Sequence, residues 1–173
     1  LVAAGLLLRR QVRLALYLAV TGLGALVLDP TLKTLVGRLR PVVDVPIASA
    51  PGNSFPSGHA LGTVVAYGAV LLIFMPLLRP VWRRVAVASW AVLVVLVGFT
   101  RIALGVHFVS DVLGGWLLGV AWLGVTGYAF RLWQRETGAA VTGPVSHGLD
   151  PASAAALSPA PDERRLLPHP WAA

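Results

Sequence analysis

The sequence contains no cysteine and few charged residues. The absence of cysteine from all 173 residues excludes disulfides and thiolate metal sites. Charged residues make up only 12% of the chain, whereas soluble domains carry roughly 25%. Acidic residues are especially scarce, with 7 Asp and Glu against 14 Lys and Arg and a formal net charge of +7. This shortage of charge excludes an ordinary soluble domain.

Long apolar runs occupy most of the chain. The mean hydropathy is +0.77 and 57% of the residues are hydrophobic. A helix needs about 20 predominantly apolar residues to cross a bilayer, and four segments qualify: 14–36, with Asp29-Pro30 as an expected kink, 59–78, 85–100 and 108–130. Because a spanning segment must satisfy its own backbone hydrogen bonds, these segments are predicted to be helices. The predicted fold class is all-α, an integral membrane helical bundle.

The cations lie at the ends of the apolar runs, which indicates membrane topology and anionic lipid rather than nucleic acid. With four helices alternating in direction, eight arginines fall on one side: Arg9, Arg10, Arg13, Arg79, Arg83, Arg84, Arg131 and Arg135. The positive-inside rule places that side in the cytoplasm. The other four cations, Lys33, Arg38, Arg40 and Arg101, then face the non-cytoplasmic side, and the cell membrane is the expected location.

Two regions flank this pattern. Residues 1–8 are apolar but too short to span, and the chain begins at Leu1, so we expect an N-terminally truncated membrane domain over residues 1–136. Residues 137–173 are rich in Ala and Pro and are predicted to form a disordered cytoplasmic tail. Residues 42–55 contain several prolines and glycines and are predicted to form an extramembrane loop.

Three polar clusters interrupt the apolar chain, and the first is Lys33 with Arg40-Pro41. Lys33 and Arg40 are seven residues apart, so on a continuing helix, stopped by Pro41, they would share a face and bind one phosphate. The alternative is that they are cations snorkelling to the lipid headgroups. Arg38 lies off that face, and we interpret it as such a snorkelling residue.

The second cluster, Pro56-Ser57-Gly58-His59, stands directly before an apolar run. Ser57 is a good N-cap and Gly58 allows an anion to approach the backbone closely. A helix N-terminus attracts anions, and His59 in the first turn could donate a proton to a leaving oxygen. The alternative is a capping turn with an interfacial histidine, and the two interpretations are compatible.

The third cluster is Arg101, His107 and Asp111. On one helix, His107 and Asp111 would be neighbours at a spacing of four residues. A carboxylate on one imidazole nitrogen fixes the tautomer and leaves the other nitrogen as nucleophile or base. The alternative makes Ser110-Asp111 the N-cap of the last helix and His107 an interfacial residue. All three clusters are predicted to meet at one membrane face.

These residues resemble a known family. Lys33-x6-Arg40-Pro41, then Pro56-Ser57-Gly58-His59, then Thr100-Arg101-x5-His107-x3-Asp111 is similar to the tripartite signature of the type 2 phosphatidic acid phosphatase superfamily. That superfamily includes lipid phosphate phosphatases, undecaprenyl diphosphate phosphatases, glucose-6-phosphatase and vanadium haloperoxidases. The usual residue before the arginine of the third motif is Ser, and here it is Thr100. The family commonly has six membrane helices, so the full-length protein is expected to have six.

The resemblance implies a role for each site residue. Lys33, Arg40 and Arg101 would hold the phosphoryl oxygens, and Ser57 and Gly58 would add hydrogen bonds. His107 would attack phosphorus and form a phosphohistidine, with Asp111 orienting it. His59 would protonate the leaving group. No cofactor or metal is implied, because the cations stabilise the developing charge.

The function predicted is metal-independent hydrolysis of a lipid phosphate or polyprenyl diphosphate at the non-cytoplasmic face. The partners expected are the lipid substrate and the bilayer, and nothing in the sequence specifies an oligomeric state. One alternative is a phosphotransferase that uses the same intermediate. The other is a non-catalytic protein that binds or transports a lipid headgroup. The complete set of His59, His107 and Asp111 favours an enzyme, because binding alone needs only the cations.

Overall fold

The computed structural model describes residues 1–43 and 48–136, the side chains of residues 134–136 excepted. The helices in this part are α1 (Val2–Leu8), α2 (Val12–Val36), α3 (Gly58–Phe74), α4 (Pro80–Ala103) and α5 (Val109–Glu136), with a 3₁₀ turn at Met75–Leu77 after α3. Among the described residues, α2 to α5 are the four helices long and apolar enough to cross a membrane. The all-α helical bundle predicted from the sequence is therefore confirmed. The predicted tail at residues 137–173 lies outside the described residues.

Helix α2 ends four residues earlier than the expected stop after Arg40. Gly37 adopts a left-handed conformation with φ of 63°, and its N–H donates to the carbonyl of Lys33 at 3.0 Å. A glycine in this conformation is a common helix terminator because it lacks a Cβ. The expectation that Lys33 and Arg40 share a face of one continuing helix is therefore wrong, since the chain turns between them.

Helix α3 lies at the centre of the bundle and packs against α2, α4 and α5. Its inward side chains, such as Leu61, Val64 and Val65, are almost completely buried. Helix α4 is the most peripheral spanning helix, since only Val94 and Gly98 on it are buried. Large apolar side chains are widely exposed on the outer faces of the helices. Such a surface suits a hydrocarbon environment and would aggregate in water.

Glycines allow α3 and α5 to pack closely near the polar end of the bundle. A Cβ on Gly115 would lie 2.7 Å from the carbonyl oxygen of Ser57, and one on Gly119 would lie 2.8 Å from Cβ of Val64. Small residues four apart let membrane helices approach at backbone distance. This contact brings the start of α3 to the start of α5, where the N–H of Ser57 donates to the carbonyl of Asp111 at 3.0 Å.

Candidate active site

The segment after α2 and the end of the following loop bind each other through backbone and side-chain hydrogen bonds. Ser54 N–H donates to the carbonyl of Arg38 at 2.8 Å, and its hydroxyl donates to that of Leu39 at 3.0 Å. Asn53 donates its amide to the carbonyl of Lys33 at 2.8 Å. These bonds place the first motif beside the start of α3, so the two clusters meet at one end of the bundle.

His107 lies between the carboxylate of Asp111 and the guanidinium of Arg40. Its Nδ1 is 3.5 Å from Oδ2 of Asp111, and its Nε2 is 3.4 Å from a guanidinium nitrogen of Arg40. His107 precedes α5 rather than lying on it, so the expected pairing forms across the start of the helix. Both side chains are buried, and Asp111 has no exposed surface. In the tautomer with its proton on Nδ1, that proton faces the carboxylate at a distance too long for a hydrogen bond, and the Nε2 lone pair lies on the side of Arg40.

Burial lowers the pKa of His107 below its ordinary value of 6.5, and the neighbouring cation of Arg40 lowers it further. The carboxylate of Asp111 acts in the opposite direction, but it does not outweigh these two effects. The imidazole is therefore neutral at neutral pH. A neutral imidazole carries the lone pair that nucleophilic attack requires.

Arg40 is held by the backbone around the site. It donates from Nε to the carbonyl of Gly52 at 3.0 Å and from one terminal nitrogen to that of Pro51 at 3.1 Å. Its other terminal nitrogen donates to the carbonyl of Val106 at 2.7 Å and faces His107. A guanidinium fixed in this way offers a preorganised positive charge next to the reactive nitrogen.

A second group of polar residues surrounds the first turn of α3. The ammonium of Lys33 lies 2.6 Å from Oδ2 of Asp29, one helical turn earlier on α2. A Cβ built on Gly58 would meet both carboxylate oxygens of Asp29 at 2.8 Å, so a larger residue here would displace this carboxylate. His59 is exposed and lies within electrostatic range of Lys33, Asp29 and Arg101. These contacts bring Lys33, Gly58, His59 and Arg101 together, as the sequence predicted.

Ser57 occupies the N-cap position of α3, but its side chain makes no capping hydrogen bond. Its hydroxyl is buried and, among the described residues, has no hydrogen-bond partner. An unpartnered buried hydroxyl is costly, and it fits a residue that bonds to a bound phosphoryl oxygen. The alternative in which Ser110-Asp111 forms the N-cap of α5 and His107 is interfacial is wrong, because α5 begins at Val109 and His107 is buried. Asp111 lies in the first turn instead, where its Oδ2 accepts from the N–H of Phe108 at 2.9 Å.

The interpretation of Arg38 as a residue snorkelling to the headgroups is wrong. One of its terminal nitrogens donates to the hydroxyl of Ser110 at 2.6 Å and to Oδ1 of Asp111 at 3.0 Å. Its guanidinium carbon also lies 4.3 Å from the ring centroid of Phe108. The premature end of α2 turns Arg38 towards α5, which an uninterrupted helix would not have done.

Asp29 and Asn53 also belong to the site and were not singled out from the sequence. The spacing of four residues between Asp29 and Lys33 is a local signal that predicts an ion pair on a helix. No comparable signal identified Asn53, because its contact with Lys33 depends on how the loop folds back.

An apolar groove opens from this second group of residues. It lies along α2 and α3 and has a volume of about 890 Å³. Asp29, Lys33 and His59 line its polar end, and mostly apolar side chains, among them Leu18, Leu26 and Val65, line the remainder. The groove is thus a continuous path from charged to hydrocarbon-like surroundings.

Comparison with known proteins identifies the family. The model of the PAP2 superfamily matches residues 11–135, which include all three polar clusters and all four spanning helices. The chain belongs to the PAP2 superfamily. The PAP2 assignment confirms the resemblance carried by the three motifs, and the apolar spans identify an integral membrane protein.

Two curated relatives and one solved structure are similar to this PAP2 chain. Phosphatidylglycerophosphatase B of Bacillus subtilis (strain 168) is 38% identical over 54% of this chain and 46% of the relative. Undecaprenyl-diphosphatase of Sulfolobus acidocaldarius is 35% identical over 68% of this chain and 55% of the relative. The crystal structure of a transmembrane PAP2-type phosphatidylglycerolphosphate phosphatase from Bacillus subtilis matches with a TM-score of 0.67 and 30% identity, over 75% of this chain and 66% of that one. The chain thus spans about half the length of these curated relatives.

Proposed function

We propose that this PAP2 protein hydrolyses a lipid phosphate or polyprenyl diphosphate through a phosphohistidine on His107. The observation that carries the proposal is the placement of this buried imidazole, with Asp111 at Nδ1 and Arg40 at Nε2. A site that only binds a headgroup needs cations but has no use for an oriented, neutral imidazole. The names of the two curated relatives support a phosphatase acting on a phospholipid or an isoprenoid diphosphate.

The proposed reaction has two steps. Nε2 of His107 attacks phosphorus, the bond from phosphorus to the leaving oxygen breaks, and His59 gives that oxygen a proton. Water then attacks the phosphohistidine and gives its proton to His59, the P–N bond breaks, and inorganic phosphate leaves while both imidazoles return to their starting states. Lys33, Arg40 and Arg101 stabilise the charge on the phosphoryl oxygens, and Ser57 and Gly58 supply hydrogen bonds at the start of α3.

Charge stabilisation without a metal is part of the proposal. Among the described residues, no group of three or more His, Cys, Asp or Glu side chains is placed to hold a metal ion. The cations already beside the imidazole and the first turn of α3 can take that role. The sequence prediction of metal independence is therefore kept and is tested below with a chelator.

The groove along α2 and α3 supports a lipid as the leaving group. His59, the proposed acid, lines its polar end, so a lipid whose leaving oxygen is near His59 can extend its tail along apolar side chains. A tail that passes from the bilayer into this groove stays among apolar groups, so it is not exposed to water while the headgroup reaches the site. The eight arginines at the opposite end of the bundle support a site on the non-cytoplasmic side of the membrane.

The decisive experiment follows phosphate and phosphoenzyme together. The protein purified in detergent is given phosphatidic acid, phosphatidylglycerophosphate and undecaprenyl diphosphate in excess EDTA, and inorganic phosphate is measured. Acid or alkaline quenching of a reaction with ³²P-labelled substrate tests for an acid-labile, alkali-stable phosphohistidine. We expect phosphate release in EDTA and a labelled enzyme.

His107→Ala should abolish both phosphate release and labelling, while substrate binding survives because the cations remain. His147→Ala is the matched control, since the sequence assigns that histidine no role. Turnover by His107→Ala, or activity that EDTA removes and Mg²⁺ restores, would overturn the mechanism. Transfer of the label to an added alcohol or lipid acceptor, faster than to water, would identify a phosphotransferase instead.

A further inference from the structure

The guanidinium of Arg38 is bound at the start of α5. It bonds to Ser110 at 2.6 Å and to Oδ1 of Asp111 at 3.0 Å, and it covers one face of the Phe108 ring. Arg38 and Asp111 are separated by 73 residues, so this contact exists only in the folded bundle. Arg38 is thus held by Phe108, which directly precedes α5, and by two residues in the first turn of α5.

The two oxygens of Asp111 have different partners. Oδ1 accepts from Arg38, whereas Oδ2 accepts from the N–H of Phe108 and faces Nδ1 of His107. The carboxylate is fully buried, so water cannot replace a lost partner without a change in the structure. A buried carboxylate deprived of its cation either loses its charge or moves.

Pairwise contacts therefore connect four groups of the site: Arg38 contacts Asp111, Asp111 contacts His107, and His107 contacts Arg40. Arg40 lies at the Nε2 side of the imidazole, where phosphorus must bind. Arg38 lies on the far side of Asp111, beyond Nδ1. The two arginines are only two residues apart, but one guanidinium contacts the carboxylate and the other contacts the imidazole. Arg38 is thus placed to act on the acid and not on the phosphate.

We propose that Arg38 is a positioning residue, which fixes the carboxylate of Asp111 so that its second oxygen orients the His107 imidazole for attack. The inference rests on the proposed function, because it needs His107 to be the nucleophile. The loss of Arg38 is therefore expected to lower kcat and to leave substrate binding unchanged. Arg40, by contrast, is expected to affect both.

The first test is a split between kcat and KM. Residues that orient a functional histidine from behind typically contribute about 10–100-fold. Arg38→Ala should therefore lower kcat on phosphatidic acid in mixed micelles by about that factor and change KM less than about 3-fold. Arg38→Lys should recover part of kcat, because an ammonium can pair with Asp111 but lacks the planar guanidinium that lies over the Phe108 ring. Arg84→Ala, an exposed arginine at the other end of the bundle, is the matched control and should keep full activity.

The second test is a double-mutant cycle with Asp111→Asn, measured as the single-turnover rate of phosphoenzyme formation. If Arg38 acts through Asp111, Arg38→Ala should cost less than about 3-fold once Asp111 is already Asn, because coupled residues are not additive. Additive losses would show that Arg38 does not act through Asp111. A KM that rises while kcat is kept would show that Arg38 binds the phosphate directly. Either result would overturn the inference.

Failure of the inference can be told apart from failure of the proposed function. Full activity in Asp111→Asn, or no phosphoenzyme in the wild type, would sink the proposed function itself. An inactive Asp111→Asn together with additive Arg38→Ala would sink only the role of Arg38. Should Arg38→Ala fail to fold, Ser110→Ala and Arg38→Lys take its place in the cycle. Each of these variants weakens the binding of Arg38 at the start of α5. Its effect should again be smaller when Asp111 is already Asn.

Discussion

At the scale of single residues, His59 is the group whose role is most open to a direct chemical test. It is exposed at the mouth of the groove, next to Lys33 and Arg101. If it protonates the leaving oxygen, His59→Ala should slow phosphoenzyme formation from a lipid alkyl phosphate by about 10²–10⁴-fold. An activated aryl phosphate, whose leaving group needs no proton, should be largely spared. Equal losses on both substrates would contradict the role of His59.

The pH dependence of the reaction tests the electrostatics of His107. Because its pKa is lowered, the neutral nucleophile persists below pH 6.5, and the acid limb of kcat/KM should fall below that value. The carboxylate of Asp111 raises this pKa, so Asp111→Asn should move the acid limb to still lower pH. The rate should also fall, by up to about 10⁴-fold, as in triads that lose their orienting Asp. A limb that moves to higher pH in Asp111→Asn would contradict the assignment.

At the scale of helices, the contact of α3 with α5 controls whether the motifs meet. Gly115→Ala places a Cβ 2.7 Å from the carbonyl oxygen of Ser57, whereas a Cβ on Gly124, on the same helix, meets nothing within 4 Å. Overpacking of this kind costs about 1–3 kcal/mol. Gly115→Ala should therefore lower both the melting temperature in detergent and the activity. Gly124→Ala should leave both unchanged, and equal behaviour of the two variants would disprove the close contact.

The turn at Gly37 explains why the helix pattern of the sequence misplaced two arginines. The spacing of Lys33 and Arg40 and the stop at Pro41 predicted a helix that continues to Arg40, yet the left-handed glycine ends α2 at Val36, where the apolar span also ends. The turn frees the next residues to cross to α5. The ends of helices are the part of a sequence-based assignment most sensitive to such single residues.

At the scale of the whole molecule, topology is accessible to labelling because the chain contains no cysteine. Ser49 is exposed in the loop between α2 and α3, and Arg84 is exposed near the start of α4 at the other end of the bundle. Ser49→Cys should react with a membrane-impermeant maleimide in intact cells, and Arg84→Cys should react only after permeabilisation. The reverse pattern would place the active site on the cytoplasmic face.

The residues beyond the membrane domain give a second test at this scale. The family match ends at residue 135, and the site described above lies within residues 29–111. A deletion of residues 137–173 should therefore retain most of the phosphatase activity in detergent, since every residue assigned to the site lies in the part that is kept. A loss of activity with unchanged melting temperature would assign the tail a part in catalysis.

The sequence by itself determined the helical class, the four spans and most of the residues that meet at the candidate site. Spanning helices are specified by local hydropathy, since each must satisfy its own backbone. The motif residues could be found because a cation, histidine or carboxylate is conspicuous in a chain with 12% charge. The assembly of Lys33, His59 and Arg101 followed from the number of spans between them, which sets the face on which each motif emerges.

Only the tertiary structure decided which groups pair within the site. The bond from Arg38 to Asp111 joins residues 73 apart, and it depends on the turn at Gly37 and on the close approach of α3 to α5. No local periodicity contains that information, because two cations spaced two residues apart are chemically alike until the fold places a carboxylate beside one and an imidazole beside the other. The same chain geometry that makes Arg40 a neighbour of the His107 imidazole makes Arg38 a neighbour of the Asp111 carboxylate.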